Sequence, residues 1–177
     1  AAPRPALKEL KPRRILVLES HLIGDQVLML PLLEALSRAY PEAELHILAN
    51  PWLPELVDPL PDRWVFHPCL IPWSSYDYRP RAWMALGAVV RSLRHLDFEL
   101  AIDVRGDLRN LILLALTGAS RRVGYGRVSG GEGLLTDSLE PPVPGGHLTA
   151  GHRAVLGALG VPDVPYVPLL RPRVDQL

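Results

Sequence analysis

An aspartate directly behind a glycine, where an apolar run gives way to a helical pattern, is the first group in this chain able to do chemistry. Arg14-Ile15-Leu16-Val17-Leu18 reads as a buried strand and Glu19-Ser20-His21-Leu22-Ile23-Gly24-Asp25 as the corner after it, with a helix over 26–36. In an open α/β sheet, ligands sit beyond the carboxyl ends of the strands, where such corners present side chains and free helix amides. Two readings of Asp25 stand side by side on this pattern. In the first it complements the helix dipole, contributing about 0.3–1 kcal/mol, and Gly24 only allows the turn. In the second it is a carboxylate base at the mouth of a sheet, taking a proton from an acceptor hydroxyl within hydrogen-bond reach. His21, in the same loop, is a substrate contact or a solvated side chain.

A second corner of the same kind is Asp103-Val104-Arg105-Gly106-Asp107-Leu108-Arg109. Arg105 and Arg109 have the fork geometry to grip phosphate or carboxylate groups, with helix amides in support. The plainer alternative has Asp103 capping the turn, Asp107 opening the helix and both arginines in water. Arg121, Arg122 and Arg127 flank a segment with five glycines in ten residues, Gly124–Gly133, read as a flexible lip with a basic rim. Trp73, Tyr76 and Tyr78 fall in a proline-bounded loop, where aromatics stack on a sugar or fill a gap; packing is the preferred reading.

Several chemistries lack their residues. His147 and His152 are five apart and so lie on different helix faces, which spoils a metal-ligand pair. The first corner has one glycine and no Gly-x-Gly-x-x-Gly, and no Gly-Lys-Ser/Thr occurs, so neither a dinucleotide fingerprint nor a P-loop is present. Asp-x-Asp is absent, and with it the usual divalent clamp of metal-dependent sugar transfer. Cys69 is the single cysteine, which excludes an internal disulfide framework and fits a cytosolic home.

The elements that must position these groups follow from periodicity. Apolar runs at 15–18, 45–49, 64–66 and 100–104, with a weaker one at 122–125, give four or five buried strands. Between them Trp83, Leu86, Val90 and Leu93, and then Leu108, Leu111, Ile112 and Ala115, step at helical spacing. Alternation of strand and helix implies right-handed βαβ units, hence an α/β, Rossmann-like, open and mostly parallel sheet with helices on both faces. Pro31 predicts a kink or a late helix start, and a last helix over 147–159 is closed by Gly160 and Pro162.

At 177 residues and 48% hydrophobic content the chain holds one domain with a substantial core. We divide it into an N-terminal tail, 1–12, a Rossmann-like domain, 13–160, and a Pro-rich linker, 161–177, and read the whole as a piece of a longer protein. Lys plus Arg and Asp plus Glu each number 19, so no whole-chain field favours nucleic acid. No apolar stretch approaches the ~20 residues of a membrane helix.

The ordered set of segments resembles family nine of the glycosyltransferases, the ADP-heptose:lipopolysaccharide heptosyltransferases, in their N-terminal half. The likeness runs through 14–18, the Ile23-Gly24-Asp25 turn, 31–36 with Tyr40-Pro41 and Ala43-Glu44, then 98–103 with Arg105-Gly106 and Arg109. Arg122-Val123-Gly124-Tyr125-Gly126-Arg127, His147 and 156–161 close it.

This resemblance implies the N-terminal half of a GT-B architecture, two Rossmann-like domains facing a cleft. The N-terminal domain would hold the acceptor, and a C-terminal domain the nucleotide-sugar. It further implies an inverting transfer without metal or resident cofactor. The donor would be an ADP-linked nucleotide-sugar bound by the missing domain, and the acceptor a lipid-linked glycan such as the lipopolysaccharide core. By the same likeness Asp25 is the general base, with Gly24, His21, Arg105, Arg109 and Arg127 on the acceptor or phosphate side. The setting is the cytoplasm, in peripheral contact with the inner membrane. Two other classes stay open: a stand-alone Rossmann-like binding module without catalysis, and a nucleotide-dependent enzyme of another class.

Overall fold

The pleat of the first strand sets the two layers of the core. In β1 (Arg14–Leu18), Ile15 and Val17 join one apolar cluster while Leu16 and Leu18 join the other, as side chains alternating across a strand must. The computed structural model describes residues 4–56, 63–141 and 147–165. Five further strands follow: β2 (Glu44–Ala49), β3 (Trp64–Pro68), β4 (Leu100–Asp103), β5 (Arg121–Gly124) and β6 (Asp137–Ser138). All pair in parallel, in the order β3-β2-β1-β4-β5-β6. The Rossmann-like sheet expected from the alternation of elements is therefore present, with one strand more than periodicity gave. β6 is two polar residues long and carries no apolar pattern; its register, Val123 opposite Asp137, is fixed by pairing with β5 and by the Arg121 fork on Asp137.

Helices cover both faces. α1 (Ile23–Leu28), α2 (Leu30–Ala39) and α8 (Leu148–Leu159) lie over one face; α5 (Pro80–Arg94) and α6 (Leu108–Leu116) lie over the other. The short helices α3 (Leu53–Leu56), α4 (Pro72–Ser75) and α7 (Gly126–Ser129) sit in the connections. The helix predicted over 26–36 is broken at Met29, and Pro31 stands in the first turn of α2, where its missing amide costs nothing. The ring of His152 on α8 sits 3.1 Å from the Leu28 carbonyl, so α8 caps the end of α1 left open by that break. α8 ends at Gly160 in the left-handed conformation, the stop predicted for it.

The first residues are packed. Leu7–Glu9 form a 3-10 turn against α8, Leu7 joins the core, and the Pro5 carbonyl accepts from Arg121 Nη1 at 2.8 Å. Of the Pro-rich segment 161–177, only 161–165 lie within the described residues, without regular structure.

Candidate functional site at the mouth of the sheet

Strand order reverses between β1 and β4, which have opposite-going neighbours in the sequence. Loops leaving the carboxyl ends of two such strands part from each other and open a crevice. The loop after β1 carries Asp25 in the first turn of α1, and the loop after β4 carries Arg105. Their side chains meet there, Arg105 Nη1 to Asp25 Oδ2 at 2.9 Å, with 28% and 20% of the respective side chains exposed. Asp25 therefore accepts from a cation on the opposite wall, and no side chain caps the α1 N-terminus. Both groups are partly buried yet open to a ligand. Gly24 lies within α1 at an ordinary φ, so no turn requires it; a Cβ there would meet nothing within 4 Å. The space beside Asp25 is open on that side.

Under this pair lies a floor of buried polar groups. Glu19, Ser20, Gln26, Asn50, Asp103 and His152 are all at least nine-tenths buried. Glu19 Oε1 accepts from the His21 amide at 2.9 Å and stands 3.5 Å from its ring. The His21 carbonyl in turn accepts from Gln26 Nε2 at 3.1 Å and Asn50 Nδ2 at 2.8 Å. His21 is thereby held at the mouth by its backbone, and its ring reaches Glu19. Oxygens of Glu19, Ser20, Gln26 and Asn50 and the Nε2 of His152 have no protein partner among the described residues. Buried polar atoms of this kind are ordinarily satisfied, so the floor has spare capacity for water or for substrate hydroxyls. Sequence reading missed Asn50 and His152 as members of this site. Asn50 gave the same signal as Glu19, a polar residue directly after an apolar strand.

The second corner does what its plainer reading says for its acids. Asp103 Oδ2 accepts from the amides of Gly106 at 2.6 Å and Arg105 at 3.2 Å, closing the turn that presents Arg105. Its Oδ1 accepts from Asn110 Nδ2 at 3.3 Å, and Asn110 accepts from Trp73 Nε1 at 3.0 Å. Burial pushes Asp103 up to about 6, opposed by the Gly106 amide and helped by the nearby Glu19 carboxylate. A raised carboxylate binds its proton in the folded chain before the unfolded one. Its contribution to stability is full below the ordinary carboxylate range and is lost as pH rises through about 6.

Asp107 caps α6, accepting from the Arg109 amide at 2.9 Å. The Arg109 fork grips both Asp107 oxygens, at 3.0 and 2.6 Å, and holds Asp107 down to about 2. The Arg109 guanidinium also lies 5.7 Å from the Trp73 ring centre. Trp73 is thus a packed residue, as preferred from sequence, whereas Tyr76 and Tyr78 stand exposed.

The basic rim expected around the glycine-rich segment is mostly absent. Arg121 is buried and forks onto Asp137 at 2.8 and 2.6 Å, and Arg122 is engaged by the carbonyls of Leu134 and Ala119, each at 2.7 Å. Arg127 remains half exposed on α7, paired with Glu140 and Glu132. The segment read as a flexible lip is anchored at two of its glycines, Gly126 and Gly131, while Gly130 and Gly133 face open space. A Cβ on Gly126 would lie 2.4 Å from the Glu132 backbone, and one on Gly131 would lie 2.6 Å from the Leu111 side chain. These glycines permit close approach.

Among the described residues no cluster of three or more His, Cys, Asp or Glu is arranged to hold a metal ion. The site can position a hydroxyl between Asp25, Arg105 and the polar floor; Arg109, from the same β4 corner, has its fork on Asp107.

Fold and mouth together define an open, Rossmann-like α/β unit of the kind found in GT-B glycosyltransferases. The chain is similar to E. coli heptosyltransferase WaaC solved with ADP-2-deoxy-2-fluoro heptose, at 14% identity and TM-score 0.69, over 88% of this chain and 51% of that one. It is similar at 21% identity and TM-score 0.68 to a glycosyl transferase family 9 structure from Veillonella parvula, over 85% of this chain and 42% of that one. E. coli ADP-heptose lps heptosyltransferase II matches at 20% identity and TM-score 0.57, over 73% of this chain and 35% of that one. The chain spans about half the length of the WaaC structure and less of the other two. No protein-family model and no curated protein sequence matches it.

Proposed function

We propose that this chain is the acceptor-binding part of an inverting, metal-independent glycosyltransferase that moves a sugar from an ADP-linked nucleotide-sugar to a lipid-linked glycan such as the lipopolysaccharide core. The observation that carries the reading is the Asp25–Arg105 pair at the switch point, a carboxylate open to a ligand and fixed from the facing wall. In this mechanism the acceptor hydroxyl lies against Asp25. As its oxygen forms the new bond to the anomeric carbon, the bond from that carbon to the diphosphate breaks on the opposite face, and the hydroxyl proton passes to Asp25. Displacement with inversion needs this base on one side and a stabilised diphosphate on the other.

Arg105 keeps the Asp25 carboxylate aimed and, with Arg109 and His21, contacts acceptor hydroxyls or phosphates, with Arg127 further out. Gly24 leaves room for the acceptor ring. A second Rossmann-like domain beyond this chain binds the donor, consistent with the half-length match to a structure solved with an ADP-sugar. No helix among the described residues is long and apolar enough to cross a membrane. The proposed setting is the cytoplasm, in peripheral contact with the inner membrane.

Division of labour between the two domains is tested by calorimetry on the 177-residue chain with ADP. No measurable heat is expected. Saturable binding in the micromolar range would reverse the proposed roles.

A further inference from the structure

A groove of about 340 Å³ runs between α5 and α6, on the opposite side of the sheet from α1 and α8, and its walls are almost wholly apolar. Trp83, Gly87 and Val90 of α5 face Ile112, Leu113 and Leu116 of α6 across it, with Trp73 at one end. Leu108, Ile112 and Leu116 follow one another at helical spacing along α6, and all three are exposed, as are Trp83 and Met84. Contiguous exposed apolar surface of this kind marks an interaction site.

What covers the groove is indicated by charge. α5 carries Arg81, Arg91 and Arg94 and α6 carries Arg109; Arg81 faces Asp77 and Arg109 is forked onto Asp107, while Arg91 and Arg94 pair with no carboxylate among the described residues. Arg91 and Arg94 continue the helical face of Trp83, Gly87 and Val90. Arg94 reaches the Leu116 carbonyl at 3.5 Å, so a free cation closes the groove at that end; at the other, Arg109 lies over Trp73 at 5.7 Å with its fork on Asp107. The chain as a whole is electrically neutral, which makes this bias local.

We infer that the α5–α6 face docks on an anionic lipid bilayer, with Trp83, Met84, Ile112 and Leu116 in the interfacial layer and the arginines at lipid phosphates. Apolar side chains entering between head groups while long cationic side chains stay at the phosphate level is how interfacial helices bind membranes. The inference rests on the proposal of a membrane-linked acceptor for its setting.

The test is sedimentation of the 177-residue chain with vesicles of phosphatidylcholine alone and of phosphatidylcholine mixed with phosphatidylglycerol, at low and high salt. Partition into the mixed vesicles is expected, weakened by salt, with a blue shift of tryptophan emission that is reduced in Trp83→Phe. Arg91→Gln with Arg94→Gln, and separately Ile112→Ser with Leu116→Ser, should each lower partition by roughly tenfold or more. All four side chains are exposed or at the groove surface, and circular dichroism confirms that each variant is folded.

A wild-type chain that stays in the supernatant with mixed vesicles overturns the inference, as do variants that pellet like the wild type. Self-association abolished by Ile112→Ser with Leu116→Ser would assign the face to a second copy instead, and also overturns it. Vesicle binding needs neither donor nor acceptor. Its failure is therefore separable from failure of the transferase reading, which would show as unchanged turnover in Asp25→Asn.

Discussion

In the transferase proposed above, Asp25→Asn is expected to lower kcat by roughly 10²–10⁴-fold, the range ordinarily lost with a general base, while KM for the acceptor changes little. Asparagine keeps the size of the side chain and an oxygen that Arg105 can reach, so the mouth should retain its shape. What it removes is the ability to take a proton. The loss corresponds to about 3–5 kcal/mol of transition-state stabilisation. Arg105→Gln is the informative companion. It removes the cation 2.9 Å from the Asp25 carboxylate and leaves the base present, so acceptor KM should rise more than kcat falls. Equal kcat losses in both variants would mean that Arg105 also contacts the reacting atoms. Steady-state rates over a range of acceptor concentrations separate these outcomes.

Gly106→Ala is expected to have the largest effect on stability. Gly106 has φ +79°, and a Cβ there would stand 2.4 Å from the Tyr125 carbonyl oxygen and 3.0 Å from Cβ atoms of Tyr125 and Val128. The left-handed conformation costs a non-glycine residue about 1–2 kcal/mol. Overpacking against fixed backbone adds roughly 1–3 kcal/mol. The sum, roughly 2–5 kcal/mol, corresponds to about 5–20 °C in Tm for a chain of this size. The same change pulls the Gly106 amide from Asp103 Oδ2, at 2.6 Å, so it should also displace Arg105. Gly24→Ala is the control: with open space around it and a helical backbone, alanine should leave Tm unchanged or raise it slightly. Thermal unfolding followed by circular dichroism reads both, and a Gly106→Ala chain with wild-type Tm would contradict the account of this turn.

Much of the sheet was legible in the sequence because strands buried on both faces need uninterrupted apolar runs. β1 and β4 show such runs and β2 one interrupted only by His46, each stopping at a polar residue where the strand meets the mouth. β6 was not legible, since Asp137 and Ser138 owe their strand geometry to pairing with β5 and Arg121. In the site, Asp25 and Arg105 were each visible as residues at a corner, but their ion pair was not. It arises because β1 and β4 are neighbours in space though far apart in the chain. Composition did not show that Gly126 and Gly131, within the glycine-rich segment, are places of close packing. It misled at Arg121 and Arg122, whose carboxylate and carbonyl partners only the folded chain brings to them.

The central claim is that the mouth between β1 and β4 receives the acceptor. The most direct measurement is an NMR titration of the chain with deacylated lipopolysaccharide core oligosaccharide. Amide shifts should concentrate at His21, Gly24, Asp25, Arg105 and Arg109 and weaken in Arg105→Gln. Shifts confined to another surface, or the same shifts produced by ADP in place of the oligosaccharide, would contradict it.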